Sequence, residues 1–172
     1  HQHGYAHVVA SMGTALTEHQ VALLKRFGKR FVMAMDADAA GRQATFRSLR
    51  DSWLALSGAT DVSLGMVLLP FGKDPDELIR ADVSAWRRSV AESKPLLDYL
   101  FDSVPGVWDL STSAGKQQVV DELRHVVYSM GNVFDVDTSY RRLAYILEVS
   151  VETLKASFGS GRPQGASPSR RV

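Results

Sequence analysis

The chain has 172 residues, of which 45% are hydrophobic and 23% charged, a composition typical of one ordinary globular domain with or without a small helical unit. The lack of cysteine excludes disulfides and thiolate zinc sites, whereas the formal charge of +1 leaves open a local basic face. No apolar run reaches the roughly 18 residues of a membrane-spanning helix and nothing at the N-terminus resembles a signal peptide, so we expect a cytoplasmic protein without a membrane partner.

Short apolar runs alternate with helical patterns through the first half of the chain. The runs predict strands, and the patterns between them predict helices that begin after a polar residue. Strand, helix, strand, helix, strand at this spacing favours an α/β fold with right-handed crossovers and a mostly parallel sheet. The predicted strands are 7–12, 31–35 and 62–69, and the predicted helices are 17–27 and 39–56.

The two predicted helices have recognisable starts and apolar faces. Thr17 and Gln20 have the spacing of a capping box. One buried stripe is expected on each helix because the apolar residues recur at intervals of three and four. The stripes consist of Val21, Leu24 and Phe27 on the first helix and Phe46, Leu49, Trp53 and Leu56 on the second.

Two aspartates directly follow the second predicted strand. In an extended chain, residues two apart point to the same side, so Asp36 and Asp38 can direct both carboxylates at one spot. Open α/β sheets place their binding sites at this position, and Mg²⁺ prefers oxygen ligands. The alternative is structural, since Asp38 is also well placed as the N-cap of the next helix.

A second acidic pair, Asp74 and Asp76, follows the third predicted strand. Here too a structural explanation is available, with Asp74 as N-cap, Pro75 at the first helical position and Glu77 at the capping-box position. The carboxyl ends of parallel strands share one edge, so the two pairs would converge there. Converging carboxylates repel one another unless a cation lies between them, which favours a metal site.

Four cations crowd the C-terminal end of the first predicted helix, at positions 25, 26, 29 and 30. Cations are favoured at the C-terminal end of a helix by its dipole, so a solvated helix end is the simplest interpretation. A role in contacting phosphate is the alternative that the pattern leaves open.

From residue 82 onward the pattern is helical and predicts no further strand. Ser113 and Ser150 are expected to cap two of the helices. The final stretch, 159–172, is rich in Gly, Ser, Pro and Arg and is predicted to be a disordered linker. The predicted helices are 83–91, 95–103, 114–128, 138–147 and 151–158.

Five stretches together resemble the catalytic core of bacterial DnaG-type DNA primases. VVASMGTALTEHQ, MDADAAGRQA and LLPFGKDPDELI resemble motifs of that family's Toprim domain, and the last of them differs in Toprim topoisomerases and nucleases. DLSTSAGKQQVVDEL and YRRLAYILEVSVETLKASF resemble its helical subdomain. The resemblance implies the C-terminal part of a Toprim domain over 1–81 and a helical subdomain over 82–158.

The resemblance also implies a function and a site. The family makes short RNA primers on a single-stranded DNA template from nucleoside triphosphates, with Mg²⁺ or Mn²⁺ as cofactor, in the bacterial replisome. By position, its metal-binding aspartates match Asp36, Asp38, Asp74 and Asp76, and Ala37 replaces the family's usual glycine. We further expect weaker substrate or template contacts from four cations that lie near the site in sequence: Lys25, Lys29, Arg42 and Lys73.

Other family parts have no counterpart in these 172 residues. These are the first Toprim motif with its glutamate, the N-terminal zinc-binding domain and the C-terminal domain that engages the replicative helicase. We therefore expect the chain alone to be inactive in primer synthesis. Two alternatives stay open at this point: another Toprim enzyme, such as a topoisomerase or nuclease, and a non-catalytic remnant that binds metal or nucleic acid.

Overall fold

The structure is a computed structural model and describes residues 2–10, 16–34, 41–57, 62–67, 69 and 74–159. These residues form helices and three short strands in an α/β arrangement. In chain order the elements are α1 Glu18–Leu24, β1 Arg30–Ala34, α2 Arg42–Ser57, β2 Ser63–Val67, α3 Pro75–Ala81, α4 Val83–Ala91, β3 Lys94–Pro95, α5 Leu96–Val107, α6 Ser113–Tyr128, α7 Val133–Ile146 and α8 Val151–Gly159.

The sheet is small and its main pairing is parallel. β1 and β2 run side by side from Arg30 opposite Ser63 to Ala34 opposite Val67. β3 adds a short antiparallel pairing on the other side of β2. The predicted α/β class and mostly parallel sheet are confirmed. The prediction that no strand follows residue 82 was wrong. Two residues are too few to show the alternation of apolar and polar side chains that marks a strand. β3 could therefore be recognised only from its pairing with β2 in the structure.

The strand predicted at 7–12 is also wrong where the structure describes it. Residues 7–10 lie outside the sheet, and the Val8 and Val9 side chains are 42% and 70% exposed. An apolar run becomes a buried strand only if a neighbouring edge pairs with it and a second layer covers it. The segment instead packs through Tyr5, whose ring meets Trp86 of α4 edge to face at 6.2 Å between ring centres.

Helix starts follow the predicted capping chemistry at α1, α3 and α8 and depart from it at α6 and α7, while α2 begins at Arg42 and not at residue 39. Thr17 and Gln20 form the expected capping box, and the Ser150 hydroxyl accepts the Thr153 N–H at 3.1 Å. α6, however, is capped by Thr112 and not by Ser113. α7 begins at Val133, five residues before the predicted start, because the Asn132 side chain accepts the Phe134 N–H at 2.9 Å.

One hydrophobic core joins the sheet to the helices. The predicted stripe on α2 is confirmed, with Phe46 and Leu49 fully buried and Trp53 packed beside them. They share one cluster with buried residues of the later helices, such as Leu100 of α5 and Leu123 of α6. Phe46 also meets Trp108 edge to face, with 4.6 Å between ring centres. These contacts cover one side of the sheet, and a second, smaller cluster packs Val67 of β2 against α3 and α4.

Phe27 departs from its predicted place in the core. Val21 is buried on the inner face of α1, but the Phe27 side chain is 85% exposed. The helix ends at Leu24 and a turn follows, so Phe27 no longer keeps the helical direction that its spacing from Val21 implied.

Two further observations bound the fold. Among the described residues, none of the helices is both long and apolar enough to span a lipid bilayer. The predicted linker lies outside the described residues from position 160 onward.

Candidate functional site

The two parallel strands end together at one edge of the sheet. Ala34, the last residue of β1, is paired with Val67, the last residue of β2. The carboxyl ends of β1 and β2 therefore lie at the same edge, as the prediction of converging acidic pairs requires. Asp36 and Asp38, two and four residues beyond Ala34, lie outside the described residues, as does Lys73.

Asp74 caps helix α3. Its Oδ1 accepts the Glu77 N–H at 2.7 Å, and Pro75 occupies the first turn, where a missing N–H has no cost. The structural alternative for this residue is thus confirmed. Among the described residues, no protein group bonds to its second carboxylate oxygen, and the side chain is exposed. Capping and metal binding are compatible, because they use different oxygens.

Asp76 is held by three side chains. Gln2 Nε2 and His3 Nε2 donate to its Oδ1 at 2.8 and 3.1 Å, and Arg80 Nε lies 3.0 Å from its Oδ2. The pKa of Asp76 is lowered, mainly by the hydrogen bond from His3. Desolvation raises the pKa and opposes this effect in part, while the hydrogen bond from Gln2 and the charge of Arg80 lower the pKa further. Asp76 is therefore ionised near neutral pH, with both oxygens already engaged.

The partners of Asp76 were only partly foreseeable. Arg80 stands four residues after Asp76 on the same helix, a spacing that signals an ion pair in the sequence. Gln2 and His3 are more than seventy residues away, and no sequence signal points to them.

The predicted cations fall into two groups. Lys25 and Lys29 are exposed and precede β1, so they lie toward the end of that strand opposite the acidic edge. Arg42 begins α2, a few residues after Asp38, and its Nη1 donates to the Gly106 carbonyl at 3.1 Å. Of the cations predicted from the sequence, Arg42 is therefore the described one that follows the carboxyl end of β1 in the chain, and it is anchored to the end of α5.

The donor set suits a hard divalent cation. Carboxylate oxygens are what Mg²⁺ and Mn²⁺ bind, and Asp74 offers one such oxygen at an exposed helix start. Within the described part of the chain, no group of three or more His, Asp or Glu side chains is arranged to hold a metal ion. The predicted ligands Asp36 and Asp38 lie outside that part.

Comparison with known proteins points to one family. The Toprim-like family matches residues 1–79. A DNA primase of Legionella pneumophila is 33% identical over 143 residues, which cover 83% of this chain and 24% of that protein. The chain thus spans about a quarter of this relative's length, and the match runs from the sheet into the helices.

Solved structures extend the likeness to three dimensions. A DNA primase domain from Pseudomonas aeruginosa superposes with a TM-score of 0.69 and 27% identity, covering 92% of this chain and 49% of that one. A DnaG primase catalytic domain bound to single-stranded DNA gives 0.68 and 26%, covering 88% and 48%. Because sequence and fold agree across both the sheet and the helices, the chain belongs to the family of bacterial DnaG-type DNA primases and corresponds to part of their catalytic core.

Proposed function

We propose that this protein synthesises short RNA primers on single-stranded DNA during replication. The observation that carries the proposal is the 33% identity to a DNA primase over 83% of the chain, which includes both acidic pairs and the helices behind them. The likeness to a primase domain bound to single-stranded DNA supports the choice of template. Nucleoside triphosphates, the RNA primer and a replicative helicase as partner are part of this proposal for the whole protein.

Asp36 and Asp38 are proposed to hold Mg²⁺ or Mn²⁺, with Asp74 and Asp76 completing the acidic edge. The support is the register of β1 and β2, whose last residues are paired. When bound, the cation neutralises charge on the transferring phosphoryl group and aligns the attacking and leaving oxygens. The free oxygen of Asp74 can join such a site directly. Asp76 acts more readily through water, because direct binding would displace His3 or Arg80.

The remaining proposed contacts involve cations. Arg42 is positioned by the Gly106 carbonyl at the start of α2, where its charge can face an incoming triphosphate. Lys73 is proposed for the same ligand from its place one residue before Asp74 in the sequence. Lys25 and Lys29 lie toward the opposite end of β1, which favours template and not triphosphate as their ligand.

Primer synthesis by the whole protein tests the proposal. The assay follows incorporation of labelled ribonucleotide on single-stranded DNA in the presence of Mg²⁺, beside an Asp36→Asn/Asp38→Asn double variant. We expect the double variant to lose at least about 100-fold in rate, because carboxylates that hold the cation cannot be replaced by amides. Equal activity of the two proteins contradicts the assigned metal site. No incorporation by the unaltered protein contradicts the function.

Metal binding by the 172-residue chain separates the two roles of Asp74. Asparagine caps helices as well as aspartate does but lacks the charge, whereas alanine can do neither. We expect Asp74→Asn to weaken Mn²⁺ binding, measured by water proton relaxation, without loss of stability. Asp74→Ala should weaken binding and also lower the free energy of unfolding by about 1 kcal/mol. If Asp74→Asn binds Mn²⁺ like the unaltered chain, Asp74 is only a helix cap.

A further inference from the structure

Phe27 lies exposed in a turn whose backbone is fixed. The Lys25 N–H donates to the Val21 carbonyl at 3.0 Å, and the Phe27 N–H donates to the Leu24 carbonyl at 2.8 Å. On the far side of the turn, the Lys29 carbonyl accepts the Ser63 N–H at 2.7 Å. An aromatic ring that is 85% exposed is therefore presented on a rigid support, which lowers the entropic cost of binding a partner.

Cations surround this ring on both sides in the sequence. We call Lys25, Arg26, Phe27, Lys29 and Arg30 the Phe27 patch. The chain carries no Asp or Glu from residue 19 to residue 35, and among the described residues Lys25, Arg26 and Arg30 form no ion pair. The Arg30 guanidinium donates instead to the Val90 carbonyl and the Ser93 hydroxyl. The charges of Lys25, Arg26 and Arg30 are thus not neutralised by the described carboxylates.

Two simpler explanations account for the cations and for the exposed side chain separately, but not for their occurrence together. The dipole of α1 favours cations at its C-terminal end, and single exposed hydrophobic residues are common. Neither explains an exposed aromatic ring that has two cations before it and two cations shortly after it in the sequence. Phe134 provides the contrast, because it is 81% exposed but stands between Val133 and Asp135. Alternating cations and aromatic rings are what single-stranded nucleic acid binds, through phosphate contacts and base stacking.

We propose that the Phe27 patch is a contact site for single-stranded nucleic acid, with a base stacked on Phe27 and phosphates beside Lys25 and Arg26. This inference rests on the proposed function, which supplies a single-stranded template. Phe27 precedes β1, and the acidic edge lies at the carboxyl end of that strand, so the two are separated by the length of β1, about 15 Å. The site would hold the strand away from the catalytic centre, and its binding needs no metal.

Binding of fluorescently labelled oligo-dT to the 172-residue chain in EDTA tests the proposal by anisotropy. We expect Phe27→Ala to raise Kd about tenfold and Phe27→Trp to restore binding, because tryptophan also stacks on bases. Phe134→Ala is the matched control and should leave Kd unchanged. The double variant Lys25→Ala/Arg26→Ala should weaken binding and reduce the slope of log Kd against log salt by about 1.4.

Three outcomes would overturn the site. The first is that oligo-dT does not bind, and the second is that Phe27→Ala and Phe134→Ala lose affinity for oligo-dT equally. The third is that an acidic peptide of equal charge competes with oligo-dT and its binding depends on Phe27 to the same extent. The last would mark a protein-docking surface. Failure of the proposed function is seen separately, since Asp36→Asn/Asp38→Asn affects primer synthesis and leaves this metal-free binding unchanged.

Discussion

The helices after residue 82 and the sheet-bearing part before it were foreseeable to different degrees. α4 has the predicted bounds, and α6 and α8 each differ from the prediction by one residue, whereas α5 ends four residues later and α7 begins five residues earlier than predicted. In the earlier part, a predicted strand is missing from residues 7–10. A helix closes its hydrogen bonds within four residues, whereas a strand needs a partner that is distant in sequence. Local patterns therefore locate the helices to within a few residues, whereas they do not identify the sheet edges.

The two regions are nevertheless one packed structure. Leu49 of the sheet-bearing part and Leu123 of α6 belong to the same buried cluster. Arg47 and Arg50 of α2 both pair with Glu122 of α6, so polar contacts also connect them. The two regions therefore differ in how well their sequences predict their structure, and not in whether each folds separately.

Truncation of the shared core should have the largest effect. Leu123→Ala removes a fully buried side chain and is expected to lower the free energy of unfolding by about 3.5 kcal/mol, as transfer and cavity costs add. Leu23→Ala, on α1, is the matched control because that side chain is 44% exposed. Its effect should stay within about 0.5 kcal/mol. Urea unfolding followed by circular dichroism measures both, and separate transitions for sheet and helices would contradict a shared core.

In the candidate site, as in the fold, features set by nearby residues could be predicted from the sequence, and contacts between distant residues could not. The capping role of Asp74 and the ion pair between Asp76 and Arg80 follow from local spacing, and both are present. The contacts of Gln2 and His3 with Asp76 depend on how the chain returns to α3 after more than seventy residues. Phe27 illustrates the opposite error, because a helical period was extended beyond the point where the helix ends.

A charged cluster links the sheet to the helices and gives the second prediction. Asp102 of α5 accepts hydrogen bonds from Lys94 of β3 and Arg142 of α7, which lower its pKa. A carboxylate whose pKa is lowered by folding stabilises the protein above its unfolded pKa, and this contribution is lost as pH falls through the folded value. Asp102→Asn should therefore cost about 1 kcal/mol at pH 7, a modest figure because the side chain is 48% exposed.

The pH dependence distinguishes this cluster from an ordinary surface pair. The stability difference between the unaltered chain and Asp102→Asn should begin to shrink below about pH 4 and be lost as the pH falls through the lowered folded pKa of Asp102. Asp137→Asn is the control, since Asp137 pairs with Arg141 on one helix and should cost only about 0.3 kcal/mol. A loss for Asp102→Asn that is as large at pH 3 as at pH 7 would show that shape, and not charge, is what the variant changes.

The smallest effect is expected at the segment where the strand prediction failed. Val9 is 70% exposed and lies outside the sheet, so Val9→Ala should change the free energy of unfolding by less than about 0.5 kcal/mol. Val67, at the end of β2, is 1% exposed, and Val67→Ala should cost about 2 kcal/mol under the same urea titration. If Val9→Ala instead costs as much as Val67→Ala, residues 7–10 form a covered strand in solution. The sheet would then contain a strand in addition to β1, β2 and β3. The sheet-bearing part would in that case be about as predictable from its sequence as the helices after residue 82.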